Sequence, residues 1–515
     1  MHDSRAWRQA LAVLAGTTLL RLVVAAIVPL FPDETYYWDW SRTLMAGYFD
    51  HPPMIAVLIR AGTTLFGDNA FGVRFFPILA GTGAAASMTF TARELAGDDA
   101  ALLATIAFAC MPLAAAGLVL ATPDAPMLCA AGWTMYAVVR VLRDPGATAF
   151  GKFPKWWLVA GACIGLAMAS KFTAVLLPAT LVVAFVSHPR LQNEFGRPGP
   201  YLAVAVASAV LLPVLIWSAG HDWVSFKFQL GHGLGEPKGG ALGALNRELE
   251  LLGGQVGLVS PILFYFVIRA VKRGFEATPD GVRAALATVA ACCFAFFAYS
   301  ATRRAVEANW PALAYLPAVV LLATDPPESW RSERWLRRGL VVGGVLSAII
   351  YAHVVFPILP LPAPRDQVAK AFGWQLLADK VQKHREWLMS RASFGGSDLY
   401  FAAERYQDAS ELAFHLRDHP RVFSLNLTGR ANQYDLWNTF RERAQRGASI
   451  LLVLDDEHDE PRVIRKLTCC FHIDALESVA LVRREAVSAR KRLWLLSEWN
   501  GEWPRRDQPF PWTDQ

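Results

Sequence analysis

Charge is what this 515-residue chain has least of: 18 % of its residues are Asp, Glu, Lys or Arg against 54 % hydrophobic, and its mean hydropathy is +0.28. An average soluble domain carries about 25 % charged residues, so a wholly soluble chain is excluded, as are disordered and collagen-like ones. Cysteine is scarce as well. Of the seven, Cys110, Cys129, Cys163, Cys292 and Cys293 lie in apolar runs where a thiol acts as a small hydrophobe, and none of the seven has metal-ligand spacing. A disulfide framework is therefore excluded. A bond between the adjacent Cys469 and Cys470 would be strained, and the pair is expected to stay unbonded. Nucleotide fingerprints are missing too: the glycines at 231, 233, 235, 239 and 240 have neither dinucleotide nor Walker spacing and read as a mobile loop. No organic cofactor and no nucleic-acid partner are expected.

The charge that is present is unevenly placed. Residues 365–515 hold 23 basic and 22 acidic residues, about 30 % of that stretch, whereas the first 364 residues reach only about 13 %. This divides the chain into a membrane part, 1–364, and a soluble part, 365–515, joined by the stiff Pro360-Leu361-Pro362-Ala363-Pro364. Eleven apolar runs read as spanning helices, at about 9–30, 71–91, 100–120, 125–142, 156–170, 173–187, 201–219, 252–271, 282–300, 308–324 and 338–356. The fifth and sixth are short and read either as two spans or as one broken helix. The first, preceded by Arg5 and Arg8, has the flank of a secretory signal, but it is longer than a signal core and is read as an uncleaved span.

Basic residues set the orientation. With the amino end inside, the inner connections hold seventeen Lys and Arg and the outer ones nine, which places the region after residue 364 outside. That region alternates helix-like segments (366–384, 405–417) with strand-like ones (397–401, 421–425, 449–454, 478–483, 490–496) and reads as an α/β domain for acceptor docking or support rather than chemistry. Its acidic turn around His458 reads as solvated rather than metal-binding.

Eleven acidic residues fall on the outer side of the membrane part, several at helix ends where charge is costly and usually functional. The first outer loop, 31–70, carries Asp33-Glu34, the aromatics Tyr36, Tyr37, Trp38 and Trp40, and then Asp50-His51-Pro52-Pro53. Its stretches 34–46 and 53–66 are expected to lie along the membrane interface, aromatics at headgroup level, in contact with membrane lipids. Asp39, Asp68, Glu236, Glu248 and Glu250 read as ordinary loop charges. Asp124, in Thr122-Pro123-Asp124-Ala125-Pro126, reads as a helix cap or a functional carboxylate, or both. Lys171 reads either as a snorkelling lysine or as an anion holder. His221 and Asp222 occupy another outer loop, and Arg303-Arg304 precede Glu307-Ala308-Asn309-Trp310 on the side where arginine is disfavoured, as an anion-binding pair would. Carboxylates and cations gathered on one face suit chemistry on an anionic, lipid-linked substrate. A transporter or flippase of lipid-linked sugars is the competing reading, although a transporter would more often place its ionisable residues mid-span.

The order Pro32-Asp33-Glu34-Thr35, Tyr48-Phe49-Asp50-His51-Pro52-Pro53, Phe71-Gly72-Val73-Arg74 and Thr122-Pro123-Asp124 resembles the first third of the bacterial GT-C glycosyltransferases, over about residues 30–215. These include the lipid A aminoarabinose and lipopolysaccharide galacturonosyl transferases and, more distantly, protein O-mannosyltransferases. The tracts from Glu307 and from Arg405-Tyr406-Gln407-Asp408 resemble members of the same group. The resemblance implies a multi-span inner-membrane enzyme with a periplasmic carboxy-terminal domain, passing a sugar from a polyprenyl-phosphate donor to a lipid or glycolipid acceptor, usually with inversion; transfer to protein, as by a protein O-mannosyltransferase, is the alternative within this class. It matches Asp33, Asp50 and Asp124 to the family's acidic positions; Asp33, Glu34 and Asp50 are expected to be catalytic, and Tyr36, Tyr37, Asp124, His221, Asp222 and Glu307 to position substrate. The departures matter: aminoarabinose transferases carry Arg and Lys where this chain has Tyr36 and His51. Donor phosphate is then expected on His51, Arg74, Lys171, Arg303 and Arg304, with a divalent cation on Asp50 and His51 as a further expectation. A hexose or uronic acid fits better than aminoarabinose.

Overall fold

The computed structural model describes residues 4–143, 154–237, 239–276, 281–325, 331, 333–391, 398–456 and 458–508. The chain forms two compact units, one of residues 1–27, 45–47 and 51–356, the other of 28–44, 48–50 and 357–515. The second unit thus takes up part of the first outer loop, which sequence assigned to the membrane part.

The first unit is helical. Among the described residues six helices are long and apolar enough to cross a membrane: Arg5–Ile27, Ala70–Ala96, Asp124–Arg143, Pro198–Ala219, Val282–Arg303 and Arg334–Val355. Two bent pairs raise this to eight. The pair Gly240–Val259 and Pro261–Gly274 turns by 102° where Pro261 forbids continuation and Ser260 takes φ 77°. The pair Phe172–Ser187 and Pro189–Gly196 turns by 107° at His188, again before a proline. The expected straight span at 252–271 is therefore broken. All eleven apolar runs lie on helices, but Lys155–Met168 and Ala312–Thr324 are short, and the run at 100–120 is split into Asp98–Ala109 and Pro112–Gly117. The fifth and sixth runs are separate helices with Lys171 extended between them (φ −153°, ψ 136°). Ala312–Thr324 is central, with twelve of its thirteen residues buried. Small residues let neighbouring helices approach: a Cβ at Gly161 would strike the Ala203 carbonyl of the adjacent helix.

The second unit contains a five-stranded sheet: β1 Leu399–Ala403, β2 Val422–Ser424, β3 Ser449–Asp455, β4 His472–Arg483 and β5 Ala486–Ser497, in the order β2-β1-β3-β5-β4. β1 runs parallel to β2 and β3, while β5 is antiparallel to β3 and β4. Every residue of β3 is buried, as a central strand requires. The helix expected from 366 starts only at Trp374, because Gly373 takes φ 91° and backs onto Leu481. Residue 397, where a strand was expected to begin, lies outside the described residues.

Helix Pro32–Ser41 is enclosed by protein: eight of its ten residues are buried, with Trp38 edge-on to Phe414 (4.9 Å) and Trp40 stacked on Tyr48 (4.5 Å). Two expectations are corrected here. The acidic turn is not solvated; Asp455 meets Lys491 and His458, Asp459 meets Arg405, and Glu460 meets Arg492. Cys469 and Cys470 are joined in a disulfide, in the turn where the Cys470 N–H donates to the Leu467 carbonyl.

Candidate functional site

Helix Pro32–Ser41 starts with proline at its first position and a carboxylate in its first turn, both favoured there. Glu34 is spent on that start: its Oε2 accepts the Phe31 N–H at 2.9 Å, and the side chain is buried. Asp33, one position earlier, keeps an exposed side chain and accepts a hydrogen bond from Gln407 Nε2 at 3.3 Å. Protein crowding around this rim raises its carboxyl above the usual aspartate range. The Gln407 hydrogen bond and Arg430 oppose the rise, while Asp50 and Glu34 add to it.

One turn on, the Tyr36 hydroxyl donates to Asp50 Oδ2 at 2.8 Å and accepts the Gln433 N–H at 2.7 Å. Desolvation, then Asp50, hold this phenol protonated. The Phe49 N–H donates to Gln433 Oε1 at 2.7 Å, which pins the backbone just before Asp50. The other Asp50 oxygen accepts from Arg430 Nη1 at 2.8 Å. Arg430 Nη2 donates to the Tyr406 hydroxyl at 3.2 Å, its guanidinium carbon 5.1 Å from that ring, and the Tyr406 ring lies 4.4 Å from Tyr36. Burial works to lower the Arg430 pKa, but Asp50 and the two tyrosines outweigh it. The result is two carboxylates, one exposed and one enclosed, beside one guanidinium.

Other residues expected here play different parts. Tyr37 packs edge-on against Trp40 as a core aromatic. Asp39, expected as a loop charge, is buried, paired with Arg42 and bonded by the Tyr434 hydroxyl at 2.7 Å. Among the described residues no group of three His, Cys, Asp or Glu side chains converges as a metal site would, and both Asp50 oxygens already accept hydrogen bonds.

The first unit holds a separate polar cluster. Asp124 Oδ1 meets Lys171 Nζ at 2.7 Å and its Oδ2 accepts from Asn309 Nδ2 at 3.1 Å; Asp124 and Lys171 are both buried. The Asp124 carboxylate is thus the anion beside Lys171 in this structure. Arg74 is fully buried and donates to the Ala25 carbonyl. Arg303 Nε donates to the Leu234 carbonyl at 3.1 Å, and Arg304 lies so close to Gly235 that a Cβ there would be 2.6 Å from its Nη2. Both arginines secure the end of helix Val224–Leu234, which turns part of the expected mobile loop into helix. His221 stacks on Trp217 and Asp222 follows with φ 53°. Glu307 is exposed, and its carbonyl accepts the Trp310 N–H.

Sequence reasoning missed Arg430, Tyr406, Gln407, Gln433 and Asn309 as site members. The tract from Arg405 to Gln407 had been noticed and then set aside as support. Nothing in spacing marks Arg430.

Residues 50–217 match the family of dolichyl-phosphate-mannose-protein mannosyltransferases. The chain is 28 % identical over 415 residues to the lipid A galacturonosyltransferase RgtD of Rhizobium johnstonii, covering 80 % of this chain and 83 % of that protein. It is 27 % identical over 246 residues to an undecaprenyl phosphate-alpha-4-amino-4-deoxy-L-arabinose arabinosyl transferase of Pseudomonas fluorescens, covering 44 % and 43 %. In fold it is similar to ArnT from Cupriavidus metallidurans bound to undecaprenyl phosphate, with TM-score 0.63, 15 % identity, and 95 % of this chain and 98 % of that one covered. The resemblance read from the motifs is borne out.

Proposed function

We propose that this chain is a glycosyltransferase that passes a sugar from a polyprenyl-phosphate donor to a lipid A-like glycolipid at the outer face of the inner membrane. The observation that carries this reading is Asp33, exposed and raised in pKa, beside the Asp50–Arg430 pair. Similarity over most of the length of a lipid A galacturonosyltransferase supports the acceptor class and favours a uronic acid as the sugar. Residues 365–515 face the periplasm in this reading.

The reaction is a direct displacement. The acceptor hydroxyl gives its proton to the Asp33 carboxylate as its oxygen attacks the anomeric carbon, and the bond from that carbon to the phosphate oxygen breaks with inversion. Polyprenyl phosphate leaves with the electron pair and gains negative charge, which a nearby cation stabilises. A carboxylate with a raised pKa is a better base near neutral pH than an ordinary aspartate.

The test is Asp33→Asn in the full chain, reconstituted in lipid with radiolabelled donor and lipid A. Transfer is expected to fall by about 10²–10⁴-fold, the usual contribution of general base catalysis. Near wild-type transfer would remove Asp33 from the reaction. Donor that crosses the bilayer without being consumed would favour the transporter reading instead.

A further inference from the structure

We propose that Arg430 is the cation that receives the donor phosphate, and that its ion pair with Asp50 is a resting state which the phosphate displaces. This rests on the sugar-transfer reading above. Among the cations expected to meet the donor phosphate, Lys171 pairs with Asp124 in the separate cluster of the first unit, and Arg74 is fully buried against the Ala25 carbonyl. Arg430 stands at the carboxylates themselves.

Its accessibility fits an exchange of partners. The Arg430 side chain is 40 % exposed whereas Asp50 is 7 % exposed, so an anion arriving from solvent meets the guanidinium before the carboxylate. Guanidinium groups bind phosphate through parallel N–H donors at least as well as they bind carboxylate. Losing Arg430 does not orphan Asp50, which keeps the Tyr36 hydroxyl on its other oxygen. The usual cost of stripping one partner from a buried ion pair is thereby reduced. Tyr406 steadies the guanidinium through both hydroxyl and ring while its anion changes.

The exchange also couples binding to chemistry. Arg430 lowers the proton affinity of Asp33 and Asp50 raises it. A phosphate on Arg430 cancels the first influence and leaves the second, so Asp33 becomes a stronger base once the donor is seated. The same guanidinium then faces the oxygen on which charge grows as the sugar departs.

The experiment measures binding of undecaprenyl phosphate to the full chain in nanodiscs, with undecaprenol as the phosphate-free comparator and inorganic phosphate as the lipid-free one, alongside donor turnover. Arg430→Ala is expected to weaken undecaprenyl phosphate binding by about 10- to 100-fold, the range for a charge-assisted contact, with undecaprenol binding and the acceptor KM unchanged. Arg430→Lys should recover part of the loss. Asp50→Asn, which removes the competing carboxylate charge, should bind undecaprenyl phosphate more tightly than wild type even as its turnover falls. Wild-type affinity in Arg430→Ala, or no gain in Asp50→Asn, overturns the proposal, as would inorganic phosphate binding as tightly as the lipid. Wild-type protein that consumes no polyprenyl-phosphate sugar would instead overturn the sugar-transfer reading, so the two failures are distinguishable.

Discussion

Asp33 carries the sharpest residue-level consequence. As a base it must be ionised, so transfer rises with pH as its carboxyl titrates, and crowding moves that limb above the usual aspartate range. The Gln407 hydrogen bond favours the ionised form. Gln407→Ala should therefore shift the acidic limb of the pH–rate profile further upward, with little change in the plateau; an unmoved or lowered limb would show that Asp33 is not the titrating group. Asp33 and Asp50 were legible because they sit in short motifs. Glu34 was harder to place: adjacent carboxylates look alike in a sequence, and that Glu34 rather than Asp33 accepts the Phe31 N–H at the helix start is visible only in the structure. Arg430 was illegible because its meaning lies in a pairing across 380 residues.

At the scale of elements, the segment 426–435 behaves as a mount for Arg430. Asn426 Nδ2 donates to both the Arg430 carbonyl (2.8 Å) and Asp435 Oδ2 (2.6 Å), the Asn432 N–H donates to Asp435 at 2.9 Å, and Arg506 closes the arrangement at 3.0 Å. Burial pushes the Asp435 carboxyl up to about 6, with Arg506 and the Asn432 and Asn426 hydrogen bonds opposing it. Asp435→Ala removes the carboxylate that the enclosed Arg506 pairs with, and is expected to destabilise this unit by about 3–5 kcal/mol. The melting temperature should fall and the donor KM rise, while the acceptor KM stays near wild type. Helices were largely readable from apolar runs, and their breaks at His188 and Ser260 were announced by the prolines that follow. The packing of helix Pro32–Ser41 was not legible, because tyrosine and tryptophan suit both a headgroup layer and a protein core. Its contacts with Phe414 and Tyr434 appear only in the structure.

At the scale of the molecule, basic-residue asymmetry yields an orientation that a fusion experiment checks directly. Alkaline phosphatase, which folds only outside the cytoplasm, joined after residue 364 should be active, and joined after residue 273 it should be inactive. The reverse pattern would invert the assignment and place Asp33 and Asp50 where a periplasmic acceptor never reaches them. The division into an apolar and a charged portion was evident from composition. What composition could not show is that the charged portion borrows residues 28–44 and 48–50 from the other end of the chain.

That borrowing sets a clock on synthesis. Asp50 leaves the ribosome 380 residues ahead of Arg430, which at about 5–20 residues per second is roughly 20–80 s. Throughout that interval Trp38 and Tyr36 lack Phe414 and Tyr434, and Asp50 lacks its guanidinium. The nascent enzyme therefore passes through the membrane with its chemistry unassembled, and the final third of translation is what completes it.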